Sequence, residues 1–326
     1  MCLRNSVHFQ KCMGYKNDSA VFLVDLENSD QSSIVLKSMR STRELKDALD
    51  YARSVSQEQP TADEESGETV VRTHLKRILD LIGAKSDEST VNLIVPRYTV
   101  ECDKDGDTTL SPSEVEFCLR LVYTQEYLFN IILKDTGRAP HLYGMCGGVY
   151  ATDYYNMPIS PPPLNEKDSR PWKVRALLAI ALLNLVTSYE KTANGVVFLC
   201  DMQADNFAAV KNEDGTYDAY SIDMDLSFFE KALYRMLHRR AREERECKTD
   251  KDCSLVDCRV QCEDGHCTSS MTTSNLQVCN LESTCGEKRK KGLDPSNNWL
   301  LYFLYCQTYQ NGCATCQQLT EDMTVK

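Results

Sequence analysis

Asp201 and Asn206 stand five positions apart in a polar stretch that follows the apolar run from Val196 to Leu199, and Asp223 ends a second short run, Ala219 to Ile222. A carboxylate, an amide and a second carboxylate in that order suit phosphoryl transfer. One carboxylate orients the attacking hydroxyl, and the amide oxygen and the other carboxylate hold a divalent metal beside the phosphates. Asp225 adds a further acid two residues on, able to repel a nucleotide or to help hold the metal.

A second set of oxygen donors lies upstream. The twelve residues from Asp103 to Glu114 place Asp103, Asp105 and Asp107 at positions 1, 3 and 5, the Thr109 carbonyl at 7, Ser111 at 9 and Glu114 at 12. This is the ligand spacing of an EF-hand calcium loop, with Leu110 as the apolar residue at position 8. Position 6 departs from it: Thr108 stands where glycine supplies a positive φ, at a cost of about 1–2 kcal/mol for a β-branched residue. The plainer reading of the segment is an acidic surface turn. Cys102 and Cys118 flank the loop and could be bridged, whereas Pro96 makes the entering segment a poor helix.

The elements that must position these groups follow from pattern. Ala20 to Leu26 and Ser33 to Met39 read as an antiparallel hairpin. Helical periodicity covers Thr42 to Ser54, with Leu45, Ala48, Leu49 and Ala52 on one side, and Thr69 to Ile82. The polar stretch Gln57 to Gly67 reads as a mobile linker. Val115 to Leu133 reads as one long helix, and Pro140 to Tyr155 as short strands around a Gly147–Gly148 turn. After the proline-rich connection Pro158 to Pro163, Trp172 to Tyr189 is a helix with too many apolar residues for a surface stripe, among them Leu177, Leu178, Ile180, Ala181, Leu182 and Leu185. No internal repeat is present.

Composition narrows the class. A formal charge of −11 argues against nucleic acid as a partner, because backbone binding relies on many Lys and Arg contacts. The basic clusters His238 to Arg245 and Lys288 to Lys291 sit among acidic or polar residues and read as solvated faces. Of the 16 cysteines, those at 247, 253, 258, 262, 267, 279, 285, 306, 313 and 316 crowd the end of the chain. That density fits a disulfide framework and an oxidising compartment. Zinc is the competing reading, carried by the Cys313–Cys316 spacing, but there is no second Cys-x-x-Cys and the only nearby histidine is His266. No signal-like or anchor-like apolar run occupies the first 30 residues, so the expectation is a chain lacking its true amino terminus, and Asn17 to Ser19 is a glycosylation triplet compatible with a lumen.

Taken in chain order, these features resemble a protein kinase. The Asp201–Asn206 step matches the kinase spacing of catalytic Asp and metal-binding Asn. Ser33 to Lys37 resembles the strand that delivers the phosphate-binding lysine, and Gln125 to Lys134, with Glu126, the helix whose glutamate pairs with it. Tyr150 to Tyr155 resembles the hinge that meets adenine. With the calcium loop and the cysteine-rich end, including Cys253, Cys258 and Cys262, the chain from about Cys12 to Cys316 resembles the divergent protein kinase domain family of the secretory pathway. That group is also called the family with sequence similarity 69, or pancreatitis-induced protein 49.

The resemblance implies an α+β, bilobal protein-kinase-like fold. Residues 1–155 would form an N-lobe with an EF-hand insertion near 95–125, and residues 156–326 a cysteine-rich, mainly helical C-lobe. It implies Asp201, Lys37 and Glu126 as catalytic residues, Asn206, Asp223 and Asp225 as cofactor-binding residues, and ATP with Mg or Mn, together with Ca, as cofactors. The expected partners are nucleotide, calcium and a lumenal substrate or binding protein. The expected location is the endoplasmic reticulum or secretory lumen, with membrane anchoring only through an N-terminal segment absent from this chain. The departures are specific. Leu199 and Cys200 replace the His-Arg before the catalytic Asp, Gln203 replaces the lysine two residues after it, Asp225 replaces a glycine, and no glycine-rich loop precedes Lys37. Three readings stay open: an active kinase, a nucleotide-binding pseudokinase serving as scaffold, and a calcium-binding structural protein with no nucleotide site.

Overall fold

The computed structural model describes residues 7–16, 19–26, 33–39, 42–43, 45–50, 66–103, 106, 109–146, 148–159, 170–243 and 247–271. Outside them lie the expected linker up to residue 65, Asn17, Gly147, and Asp105, Asp107 and Thr108 of the expected calcium loop. So do Pro161 to Pro163, the Lys288 to Lys291 cluster, and every cysteine from Cys279 to Cys316, including the pair on which the zinc reading rests. The chain divides into two units between Tyr154 and Tyr155. Among the described residues no helix is long and apolar enough to cross a membrane.

The first unit contains a five-stranded sheet in the order β1-β2-β3-β5-β4, built from β1 (Val7–Lys16), β2 (Ser19–Leu26), β3 (Ser33–Ser38), β4 (Leu142–Cys146) and β5 (Val149–Asp153). All four pairings are antiparallel. The expected β2–β3 hairpin is present, with Val24 opposite Ile34 and both buried against Ala151 of β5. Strand β1 is an addition that the apolar pattern does not announce. Its Phe9 and Met13 are exposed and two register shifts interrupt its pairing, so alternation never develops along this edge.

Four helices, α1 (Gly67–Ile82), α2 (Glu88–Cys102), α3 (Pro112–Val122) and α4 (Gln125–Ile132), lie between β3 and β4 in the chain, after a helical stretch at 45–50 whose Leu45, Ala48 and Leu49 are buried as expected. Helix α1 starts at the Ser66 cap, whose hydroxyl accepts from Thr69 N, and stops at left-handed Gly83 (φ 79°). Helix α2 corrects the expectation of a poor helix, because it runs through Pro96. The local penalty is outweighed by burial of Val91, Ile94, Val95, Tyr98 and Cys102, by the Asp87 N-cap and by the Cys102–Cys118 bridge to α3.

The single long helix expected from Val115 to Leu133 is likewise corrected to two. At Thr124 the backbone turns extended (φ −91°, ψ 95°), and its hydroxyl donates to the Arg120 carbonyl at 2.8 Å while its own carbonyl accepts from Leu128 N. One residue thus closes α3 and opens α4, a conflict of local hydrogen bonding that apolar periodicity alone does not reveal.

In the second unit, helix α5 (Trp172–Tyr189) appears with the predicted bounds. Leu178, Ala181, Leu182 and Leu185 are buried, but Ile180 is 41% exposed. The strands form three small antiparallel sheets. Strands β6 (Met157–Pro158), β8 (Phe207–Lys211) and β9 (Tyr217–Ser221) make one, and β7 (Val197–Leu199) with β10 (Ser227–Phe229) makes another. After helix α6 (Glu230–Glu243), the third comprises β11 (Ser254–Leu255), β12 (Cys258–Glu263) and β13 (His266–Met271). Within the expected cysteine-rich, mainly helical C-lobe, residues 247–271 are instead a β meander held by disulfides. Cys247–Cys262 and Cys253–Cys267 staple it, and its Leu255 and Val260 share a core with Phe198, Phe228, Leu233 and Leu237.

Close packing at the start of α1 gives a direct test. A β-carbon on Gly67 would lie 2.7 Å from both the Leu110 carbonyl oxygen and Val115 Cγ2. Gly67→Ala is therefore expected to lower stability by about 1–3 kcal/mol through overpacking, more than the roughly 0.4–1 kcal/mol gained by stiffening the unfolded chain. Thermal denaturation should show a reduced Tm for Gly67→Ala and none for Gly148→Ala, whose added carbon meets nothing within 4 Å.

Candidate active site

Each unit carries part of the expected chemistry. In the first, β3 places Lys37 opposite Tyr150, one pair before the end of its ladder and in the interior of the sheet, and α4 presents Glu126 in its first turn. Lys37 Nζ lies 2.5 Å from Glu126 Oε1, with the side chains only 13% and 9% exposed. Two residues 89 positions apart, which the resemblance to a kinase singles out, are thus a near-buried, charge-assisted hydrogen-bonded pair. Tyr150 is buried with its ring 5.6 Å from that of Tyr127, whereas Tyr155, in the second unit, stacks on Tyr220 at 4.4 Å.

In the second unit β7 delivers Asp201 into a loop that a short 3-10 turn closes at Ala204–Asn206 before β8 begins. Asn206 Nδ2 donates to the Asp201 carbonyl at 3.0 Å, which occupies the amide nitrogen and leaves the amide oxygen for a ligand. Ile222 N donates to the Asn206 carbonyl at 2.8 Å, tying the end of β9 to the same loop. Just beyond, Asp223 Oδ1 accepts from Asp225 N at 3.1 Å and the Asp223 carbonyl accepts from Ser221 Oγ at 3.3 Å. Asp201, Asn206, Asp223 and Asp225 are therefore gathered along two adjoining segments. Asp201 Oδ1 is buried with no hydrogen-bond partner. An orphaned carboxylate oxygen next to an amide and a second carboxylate is a hard-oxygen donor set of the kind Mg and Mn prefer, so the residues present fit a metal–nucleotide complex.

In the segment expected to bind calcium, Asp103 caps the end of α2 and its Oδ1 accepts from Gly106 N at 2.6 Å, where Gly106 takes φ +76°. Glu114 is 3% exposed and its Oε2 accepts from both Ser111 N, at 2.9 Å, and Ser111 Oγ, at 2.6 Å. Ser111 and Glu114 thus cap α3 reciprocally, and Thr109 is exposed. The Cys102–Cys118 bridge anchors both flanks of the loop, as its position in the sequence allows.

The sequence reading missed what holds Asp201 in place. Cys200, which stands where a kinase has arginine, is bonded to Cys258. Beside that bridge Asp257 N donates to the Cys200 carbonyl at 3.0 Å, and Asp257 Oδ2 accepts from Met202 N at 2.9 Å. One disulfide and two hydrogen bonds therefore grip the residues on either side of Asp201. The turn that aims Asp257 is strained, because Val256 takes φ 53°, a region β-branched residues avoid. The available signal was adjacency: Cys200 precedes Asp201 as Cys258 follows Asp257. Among the described cysteines, Cys12 is an exposed free thiol.

Two substitutions separate the parts of this clamp. Paired Cys200→Ser and Cys258→Ser should lower urea stability by about 3–4 kcal/mol, as expected for closing a loop of this length. Asp257→Asn should leave the urea midpoint nearly unchanged. Hydrogen–deuterium exchange at Met202 should nevertheless rise, because its amide loses a charge-assisted acceptor.

The profile of the family described as the protein-kinase domain of FAM69 matches residues 118–290, a span that contains Glu126, Asp201, Asn206, Asp223 and the Cys200–Cys258 clamp and begins downstream of Lys37. No solved structure matches the chain. The match covers more than half of the sequence, and the chain belongs to the FAM69 protein-kinase-domain family.

Proposed function

We propose that the protein is a divergent, bilobal kinase-like protein of the secretory pathway that binds ATP with Mg or Mn and, through an EF-hand inserted in its N-lobe, calcium. The observation that supports this reading most strongly is the near-buried Lys37–Glu126 ion pair. Two charges are removed from water only where geometry compensates for the desolvation, and in phosphoryl transfer such a pair aims an ammonium at the nucleotide phosphates. The disulfides of the second unit and the even cysteine total favour an oxidising lumen.

In this reading Glu126 fixes the Lys37 ammonium, and Asn206 and Asp223 offer an amide oxygen and a carboxylate to the metal. Asp225 adds a carboxylate beside them. Asp201 takes the proton of an attacking hydroxyl as that oxygen acquires the terminal phosphoryl group and ADP leaves. The metal, when bound, neutralises charge on the phosphates. The pseudokinase reading retains support from Gln203 and Asp225, which stand where a kinase has lysine and glycine. Phosphate transfer that Asp201→Ala abolishes would exclude it.

Nucleotide binding is tested by thermal shift with ATP and Mn. Stabilisation follows ligand concentration over Kd and reaches about 2.7 kcal/mol at a hundredfold excess. Wild type should show a concentration-dependent rise in Tm and Asp223→Ala should not; no rise in wild type would favour the reading without a nucleotide site, and an equal rise in both would remove Asp223 from that site.

Calcium is tested separately by titration calorimetry. One site is expected in wild type, and at least tenfold weaker binding in Asp103→Asn, which keeps an acceptor for Gly106 N but removes the charge. Equal affinity in the two proteins would assign Asp103 to the turn alone.

A further inference from the structure

A cavity of about 460 Å³ opens between helices α2 and α4 and the chain leading into β4, wholly within the first unit. Its size falls in the range of small-molecule sites, which combine apolar walls with a few fixed polar groups. Pro96 and Val100 of α2, Ile131 of α4 and Leu142 form apolar walls. Asn130 of α4 also lines it. This side chain is 3% exposed, yet its Nδ2 is buried with no hydrogen-bond partner. A native fold rarely leaves an amide donor in that condition, and a donor on a cavity wall asks for an acceptor inside the cavity.

Charge sets the sign of that acceptor. Arg97 and Lys134 both line the cavity, against the single carboxylate of Glu101. Arg97 Nη1 donates to the Ile131 carbonyl at 3.3 Å, which pins its guanidinium against α4, while Lys134 is exposed at the mouth. Tyr127 adds no negative charge, because burial first and then the Glu101 carboxylate push its hydroxyl well above its ordinary range. His141, also at the wall, packs edge-on to Tyr143 at 4.7 Å.

We propose that this cavity binds a small amphipathic organic anion, a carboxylate carried on an apolar body. The carboxylate lies between Asn130 Nδ2 and the Arg97 and Lys134 cations, and the apolar body lies against Pro96, Val100 and Leu142. Nothing in the assignment depends on nucleotide binding, although the helix that supplies Asn130 is the one that presents Glu126 to Lys37.

The test uses the full chain without ATP and two probes that share an indole ring and carry opposite charge, indole-3-butyrate and tryptamine, followed by saturation-transfer NMR and titration calorimetry. Wild type should bind one indole-3-butyrate and take up tryptamine at least tenfold more weakly. Asn130→Leu and Lys134→Glu should each weaken indole-3-butyrate at least tenfold. Val100→Trp should abolish its binding by filling the cavity from a position that is 74% exposed, where the fold tolerates the change. The assignment is overturned if folded wild type shows no binding at millimolar probe, if tryptamine binds as tightly, or if Val100→Trp leaves affinity unchanged. Because ATP is absent, none of these outcomes bears on the nucleotide site.

Discussion

The first unit is arranged around one electrostatic demand, that the Lys37 ammonium and the Glu126 carboxylate meet at 2.5 Å with both side chains largely buried. Removing either partner from such a pair leaves a charge buried alone, a change that typically costs about 3–5 kcal/mol. Two separate pieces of architecture therefore have to agree. The sheet holds Lys37 by pairing β3 on both sides, with β2 and with β5. The helices bring Glu126 by restarting at Thr124, so that the acid falls in the first turn of α4, where the helix dipole favours it. An uninterrupted helix from Val115 to Leu133 would have set Glu126 by the phase of α3 instead.

The second unit meets a different requirement, that of fixing a loop. Asp201 follows a three-residue strand, and the loop beyond it has few apolar anchors. Cys200 and Met202 are instead tied to the turn at Asp257 and Cys258, and that turn belongs to a small β meander cross-linked by two further disulfides. The residues that departed from an ordinary kinase on sequence thus include one with a structural part. Cys200 anchors the backbone that a conventional His-Arg sequence would otherwise lead into. The positive φ at Val256 is strain of roughly 1–2 kcal/mol that the cross-linked meander can hold.

The parts of this architecture that could be read in the sequence are those written in local pattern. The β2–β3 hairpin and the Trp172–Tyr189 helix follow from periodicity and composition, with the bounds of α5 needing no adjustment, whereas Lys37 and Glu126 were picked out by the resemblance to a kinase in chain order. The illegible parts depend on residues distant in the chain. Helix α2 survives Pro96 because its buried face and its bridge to Cys118 outweigh the ring's local penalty. The α3–α4 break turns on a single threonine hydroxyl, and β1 is an exposed, bulged edge with no alternation. Asp257 was invisible because it acts on Met202 from 55 residues away.

The proposed nucleotide binding requires both the Lys37 and the Asp223 side chains. Equilibrium dialysis with radiolabelled ATP measures this without requiring a phosphate acceptor. The account predicts one equivalent of ATP bound in the presence of Mn, lost on chelation and lost in both Lys37→Met and Asp223→Ala while each variant keeps its far-ultraviolet circular dichroism. The absence of stoichiometric binding in wild type, or binding that survives both substitutions, would contradict it.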